Sequence, residues 1–287
     1  MRIAHLLCDD GITAELWLGA LVHAGAEVAA LQDVVARAGV AARIVATPVC
    51  AREVTAVEVV VDDRGHDSRD RLSTAAAMHG AVDGAKLPPR ADERAHDLVD
   101  ALVHAEAAVH GVPVDDVHLH ELGRPRAVAR ILAGVTALEE LDVEDVTTSL
   151  VALGGGVIDI AHGRFPVPPP VVLPLLQGFP VRGDDREVEL TTPSGAAVLA
   201  ALARPAPRIP AMLLERYGRG ALRAPAGTAA GTAAGGAAGT AAGTAAGGAA
   251  GTAAGTAAAG HPVGDRLLTV LVGTPTDQAA GIGQDQP

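Results

Sequence analysis

The densest run of side chains able to bind a metal or move a proton lies between His104 and Glu121. Glu106 and His110 are four residues apart, a spacing that sets them on one face of a helix, one turn from each other. His118 and His120 flank Leu119 and lead into Glu121. If that stretch is extended, side chains alternate and both imidazoles point the same way. Imidazole nitrogens combined with carboxylate oxygens make a site that suits nickel or zinc. The same residue types also serve as capping or solvated histidines near a helix end. Spacing alone leaves both readings open.

The elements that must position these groups follow from periodicity. Residues 91–110 and 127–141 read as long helices, the first carrying Glu106 and His110 near its end. A further helix is predicted over 13–38, with Gly25 a candidate break in its middle. Residues 193–203 form another, with Thr192 placed as N-cap and Pro193 in the first turn. Strands are predicted at 3–8, 44–48, 54–61, 146–151 and 157–160, the last two on either side of Gly154, Gly155 and Gly156. Residues 62–71 are a charged connection.

Residues 227–258 repeat Gly-(Thr/Gly)-Ala-Ala without a charge or a large apolar side chain. Such a segment buries too little surface to offset its ordering entropy. A disordered insert over 223–260 is expected, followed by a returning strand of the same domain within 261–273 and a tail at 274–287. The expected fold is α+β, a mixed sheet with packed helices built by residues 1–222 and that strand, the low-complexity insert lying before it.

Composition narrows the partners. The formal net charge of −12 argues against nucleic acid, whose affinity comes largely from a basic face. Cys8 and Cys50 are too few and too far apart for a disulfide framework or a thiolate zinc site, so a reduced, cytoplasmic setting is the simplest expectation. No stretch approaches a membrane span, and the apolar start ends at Asp9 and Asp10, too early for a signal peptide.

Longer motifs are more specific. His104-Ala-Glu-Ala-Ala-Val-His-Gly111 and Val117-His-Leu-His-Glu-Leu-Gly123 resemble two consecutive blocks of the LarC family of nickel-insertion proteins. Gly154-Gly-Gly156 with Ala161-His-Gly-Arg-Phe-Pro-Val-Pro-Pro-Pro170 is similar to that family's glycine loop and the segment after it. Gln177-Gly-Phe-Pro-Val181, Leu190-Thr-Thr-Pro-Ser-Gly-Ala-Ala197, Arg216-Tyr-Gly-Arg-Gly220 and residues 266–273 fit its later blocks in order.

The resemblance implies nickel insertion into pyridinium-3,5-bisthiocarboxylic acid mononucleotide, a CTP-dependent, chelatase-type lyase reaction that yields a nickel-pincer cofactor. It implies nickel on His118, His120 and Glu121, with Glu106 and His110 beside them, and makes Glu121 and His120 the catalytic candidates. Soft sulfur on the substrate captures the ion from harder imidazole and carboxylate donors. A phosphate-bearing substrate also needs an anion site. Thr192, Ser194 and Gly195 open a helix, where free N–H groups favour phosphate. Gly154, Gly155 and Gly156 can present N–H groups similarly, and His162 and Arg164 follow as substrate contacts. Each also has a plain reading, as an N-cap and as a tight turn.

The chain departs from the family pattern in three places. Arg126 and Arg130 stand where the family carries two aspartates four residues apart, and like charges there disfavour a divalent ion. In the first block an aspartate is missing at Leu7 and another is replaced by Glu15, while Asp9 and Asp10 sit at different positions. The family's C-terminal domain has no counterpart within 287 residues, so a separate polypeptide is an expected partner. Two other functions compete: a non-catalytic relative acting as scaffold or regulator, which the arginines favour, and a hydrolase with Glu121 as base.

Overall fold

The computed structural model describes residues 1–49, 54–61, 72–119, 122–160, 163–222 and 266–276. His120, Glu121 and His162, together with the 62–71 connection and the 223–260 insert, lie outside them.

A seven-stranded mixed sheet organises the described residues. Its strands are β1 (Arg2–Leu7), β2 (Ala42–Val49), β3 (Val54–Val61), β4 (Val143–Thr148), β9 (Ala203–Pro205), β10 (Met212–Ala221) and β11 (Leu267–Pro275). They lie in the order β2-β3-β10-β11-β1-β4-β9. β1 is antiparallel to β11 and parallel to β4, as the α+β reading of mixed pairing requires. Two small pairs stand apart: β5 (Val151–Leu153) beside β8 (Val181–Gly183), and the hairpin of β6 (Val157–Ile160) and β7 (Gly163–Pro166).

Helix α1 (Ala14–His23) lies between this sheet and the outer helices. Thr13 caps it, its hydroxyl accepting from the Leu16 N–H at 3.1 Å. Most residues of α1 are apolar and buried, which suits an element covered on both sides. It approaches β10 closely because Gly218 and Gly220 present no side chain. A Cβ there would stand 1.9 Å from the Ala20 carbonyl oxygen and 1.8 Å from that of Leu16. On the other side, the Trp17 ring fills a notch at Gly134, where a Cβ would come within 2.0 Å of it.

The predicted break at Gly25 is present. Gly25 takes φ +116, and the chain resumes as α2 (Val28–Arg37). Then come α3 (Ala75–Ala85), α4 (Pro89–His110), α5 (Pro125–Glu140), the single turn α6 (Val172–Leu175) and α7 (Pro193–Leu202). α4 packs on α3, α5 and α7, and α5 packs on α1, α2 and the sheet. Residues 146–151, expected as one strand, divide between β4 and β5; Ser149 and Leu150 interrupt the ladder between them, although the Ser149 N–H still donates to the Leu6 carbonyl at 2.9 Å.

The returning strand is β11, and it lies between β10 and β1. Ala221 pairs directly with Leu267, so the chain leaves β10 and re-enters at β11 side by side. Among the described residues no helix is long and apolar enough to cross a membrane.

Candidate functional site

Helix α4 ends at Gly111, whose φ of +67 gives the left-handed cap that glycine adopts without strain. His110 is therefore in the last turn, where the helix dipole favours a cation. Its Nε2 lies 3.4 Å from Glu106 Oε2, with the Glu106 side chain only 16% exposed. The chain then makes one 3-10 turn at Val114–Asp116 and runs extended. Val117 and Leu119 are buried while His118 between them is exposed, the alternation expected of an extended segment. The Leu119 N–H donates to the Ser73 carbonyl at 2.8 Å, tying the segment to the start of α3. Among the described residues, no group of three or more His, Cys, Asp or Glu side chains converges as a metal site.

The two arginines start α5 and differ in environment. Arg126 is exposed, whereas the Arg130 side chain is 19% exposed and forms an ion pair with Glu15 of α1. Burial pushes the Arg130 guanidinium down to about 10, and its Nε–H has no partner. Glu15 and Arg130 occupy two positions at which the resembled family carries aspartates. In the structure these two positions hold oppositely charged side chains that pair across α1 and α5. Both residues, with Arg126 and Glu58, line a cleft of about 230 Å³ against β3. Arg130 also borders a small cavity of about 20 Å³ beside Trp17 and Ser194.

The Asp10 carboxylate is engaged outside the arginine cleft. Asp10 pairs with Arg186 at 2.9 Å and accepts the Leu267 N–H at 3.2 Å. The Asp9 carbonyl accepts from Arg182 at 2.6 Å. Cys8 is fully buried beside Thr148, and burial pushes its thiol up to about 12, so it offers no thiolate at neutral pH.

The proposed phosphate-contacting residues are packed against one another's loops. The Thr192 hydroxyl accepts from the Gly195 N–H at 3.3 Å and meets Ser194 Oγ at 3.2 Å, closing the N-cap of α7. A Cβ on Gly195 would stand 2.1 Å from the Ile12 carbonyl oxygen, so this glycine lets α7 abut the first loop. Thr191 joins the blocks, donating to the Ala152 carbonyl at 2.9 Å and accepting the Ile12 N–H at 3.3 Å. The Gly155 N–H donates to the Arg186 carbonyl at 2.9 Å. Gly154 faces the Val188 carbonyl and Gly156 takes φ +86. Arg164 is exposed on the β6–β7 hairpin, opposite Asp159 in register.

Sequence reasoning missed the Glu15–Arg130 pair, because the two are far apart in the chain and only the fold joins them. It also missed Glu189, three residues before the N-cap Thr192. Burial pushes the Glu189 carboxyl up to about 7, opposed by Arg266. No local sequence signal announces either.

The described residues form a helix-backed mixed sheet, with an imidazole and a carboxylate paired at the end of α4 and the Cys8 thiol buried. The family model described as nickel insertion protein matches residues 4–230, and the chain belongs to that family. A Desulfitobacterium hafniense protein named pyridinium-3,5-bisthiocarboxylic acid mononucleotide nickel insertion protein is 34% identical over 223 residues, 77% of this chain and 54% of that one. A Synechococcus elongatus protein named for nickel insertion is 37% identical over 226 residues, covering 77% of this chain and 55% of its own length. The chain spans about half the length of these relatives. No solved structure matches it.

Proposed function

We propose that this chain performs the nickel-handling half of nickel insertion into pyridinium-3,5-bisthiocarboxylic acid mononucleotide. Its family match runs through the sheet, the Glu106–His110 helix end and the His118 segment. That coincidence carries the reading. Nickel is the cargo. The nitrogen and oxygen donors expected here, His118, His120, Glu121, Glu106 and His110, hold Ni²⁺ less firmly than sulfur does, so the thiocarboxylates of the substrate can take it over. Thr192, Ser194, Gly195, the 154–156 loop, His162 and Arg164 are the proposed substrate contacts. CTP and a separate polypeptide supplying the remaining half complete the proposed reaction, a chelatase-type lyase step.

One observation favours a second reading, a relative that keeps the fold without metal transfer: Arg130 neutralises Glu15 inside the cleft. The two separate on one experiment. Purified chain, Ni²⁺, substrate and CTP are combined with the C-terminal half of a relative, and nickel–carbon product is measured by mass spectrometry. Product above the level of the C-terminal half alone supports the first reading, and none supports the second.

A further inference from the structure

Away from the helix end and the arginine cleft, α3 and α4 bring two histidines together. His79 Nδ1 and His96 Nδ1 stand 2.6 Å apart. The ring centroids are 4.8 Å apart with an interplanar angle of 20°. That separation is close to the nitrogen–nitrogen distance plus the two ring radii, so the rings meet edge to edge through these nitrogens. Each outer nitrogen faces a carboxylate. His79 Nε2 lies 3.0 Å from Asp100 Oδ1, and His96 Nε2 lies 3.3 Å from Asp83 and 3.9 Å from Asp92.

Counting hydrogens shows what this arrangement lacks. An ionised carboxylate only accepts, so each Nε2 is best as N–H, which leaves both Nδ1 lone pairs turned toward each other. In the other neutral tautomer, His96 donates through Nδ1 and turns its Nε2 lone pair on Asp83 and Asp92. Either form is relieved by a cation on the Nδ1 pair, a shared proton or a metal ion in its place. The surroundings are acidic. Asp92, His96, Asp100 and His104 follow one another every fourth residue along α4, and Asp83 faces them from α3. The Asp97 carboxyl is pushed above its ordinary range by burial and then by Glu93 and Asp100.

We propose that His79 and His96 form a second cation site, a two-imidazole site for a divalent first-row transition ion. Imidazole that donates its far N–H to a carboxylate is the arrangement of metal-bound histidine generally, the carboxylate fixing the tautomer and raising ligand basicity. Ligands about 2.0–2.1 Å from the ion stand about 3 Å apart, so the pair opens by a few tenths of an ångström with a rotation of both rings. The rings are 28% and 27% exposed, which leaves them room to turn and a path from solvent. The protein supplies two ligands and water the others. The site shares no residue with the donors of the proposed function and stands or falls independently of them.

The test uses the full chain and Ni²⁺ alone. In the natural protein, histidine ring resonances are followed by NMR during titration, and those of His79 and His96 should broaden before one equivalent is added. Calorimetry on His79→Gln/His96→Gln should show one binding step lost, or weakened at least tenfold. The milder Asp100→Asn should weaken that same step severalfold while leaving circular dichroism unchanged. Sharp His79 and His96 resonances throughout the titration overturn the inference, as does an unchanged isotherm in the folded double variant. Broadening confined to His110 and His118 overturns it while supporting the proposed function.

Discussion

Replacing Arg130 with aspartate reverses a charge held against Glu15 in the wall of the cleft. Two consequences follow, of opposite sign. Without metal, Arg130→Asp removes the partner of a mostly buried carboxylate and adds a like charge. Breaking a buried pair costs about 3–5 kcal/mol, and the side chains here keep 19% and 24% exposure, so the lower part of that range applies. With Ni²⁺ present, the site gains two carboxylates in place of a neutral pair. At an effective dielectric of about 20 and a distance of about 6 Å, one unit charge acts on a divalent ion with on the order of 5 kcal/mol before screening. A gain of only about 1.4 kcal/mol after solvent and relaxation already means tenfold in affinity.

Arg130→Asp should therefore melt lower than the natural protein in a chelator, recover on adding Ni²⁺, and show a new calorimetric step at least tenfold tighter than any the natural protein shows at Glu15. The neutral pair Arg130→Gln/Glu15→Gln serves as control, expected to stay folded without the nickel gain. Arg126→Asp, on the exposed rim, should add less. If Arg130→Asp is folded and its melting temperature ignores Ni²⁺, the cleft does not read cation charge and the electrostatic account of this site is wrong.

Three further outcomes are expected. Joining Ala224 to His261 should leave the melting temperature within a few degrees, because Ala221 and Leu267 already pair and loop length adds only about 0.6 kcal/mol per doubling; a large drop or insolubility would make the insert structural. His118→Ala/His120→Ala should lower affinity for Ni²⁺ at the proposed insertion site at least tenfold, measured by competition with a chromogenic chelator; equal competition would move that site elsewhere. Glu189 has a raised folded-state pKa, about 7 against an ordinary 4.5, so its contribution is fully present below pH 4.5 and is lost as pH rises through 7. Glu189→Gln should thus match the natural protein near pH 4.5 and exceed it at pH 8 by about 1–3 kcal/mol in urea unfolding; a difference that shrinks with rising pH would contradict the buried carboxyl.

Local chemistry made much of this fold readable. Thr192 before Pro193 marked the start of α7, Gly25 marked the gap between α1 and α2, and the alternating valines of 54–61 marked β3. Besides the shortest pieces, two longer elements escaped for a common reason. α3 is built mainly of alanine and glycine, which give no apolar stripe, and β10 carries Gly218 and Gly220, which weaken a strand's own preference. Their positions come from packing, α3 on α4 and β10 on α1. The candidate site divides in the same way. The one-turn spacing of Glu106 and His110 was legible as a shared helix face. The Glu15–Arg130 and His79–His96 contacts join different helices, and pairing across helices has no signature in a single segment.

Trp17 is the only tryptophan of the chain, and it lies 1% exposed in the Gly134 notch. It lines the same small cavity as Arg130 and Ser194. Indole emission responds to the field and polarity around the ring, so this protein contains a single indole, selectively excited at the red edge, beside the charge pair that decides between its two proposed roles. Separation of Arg130 from Glu15, or entry of a ligand at the start of α7, will alter that emission with no label attached. Titrations of metal and nucleotide can then be followed at micromolar protein, in the natural sequence, by light alone.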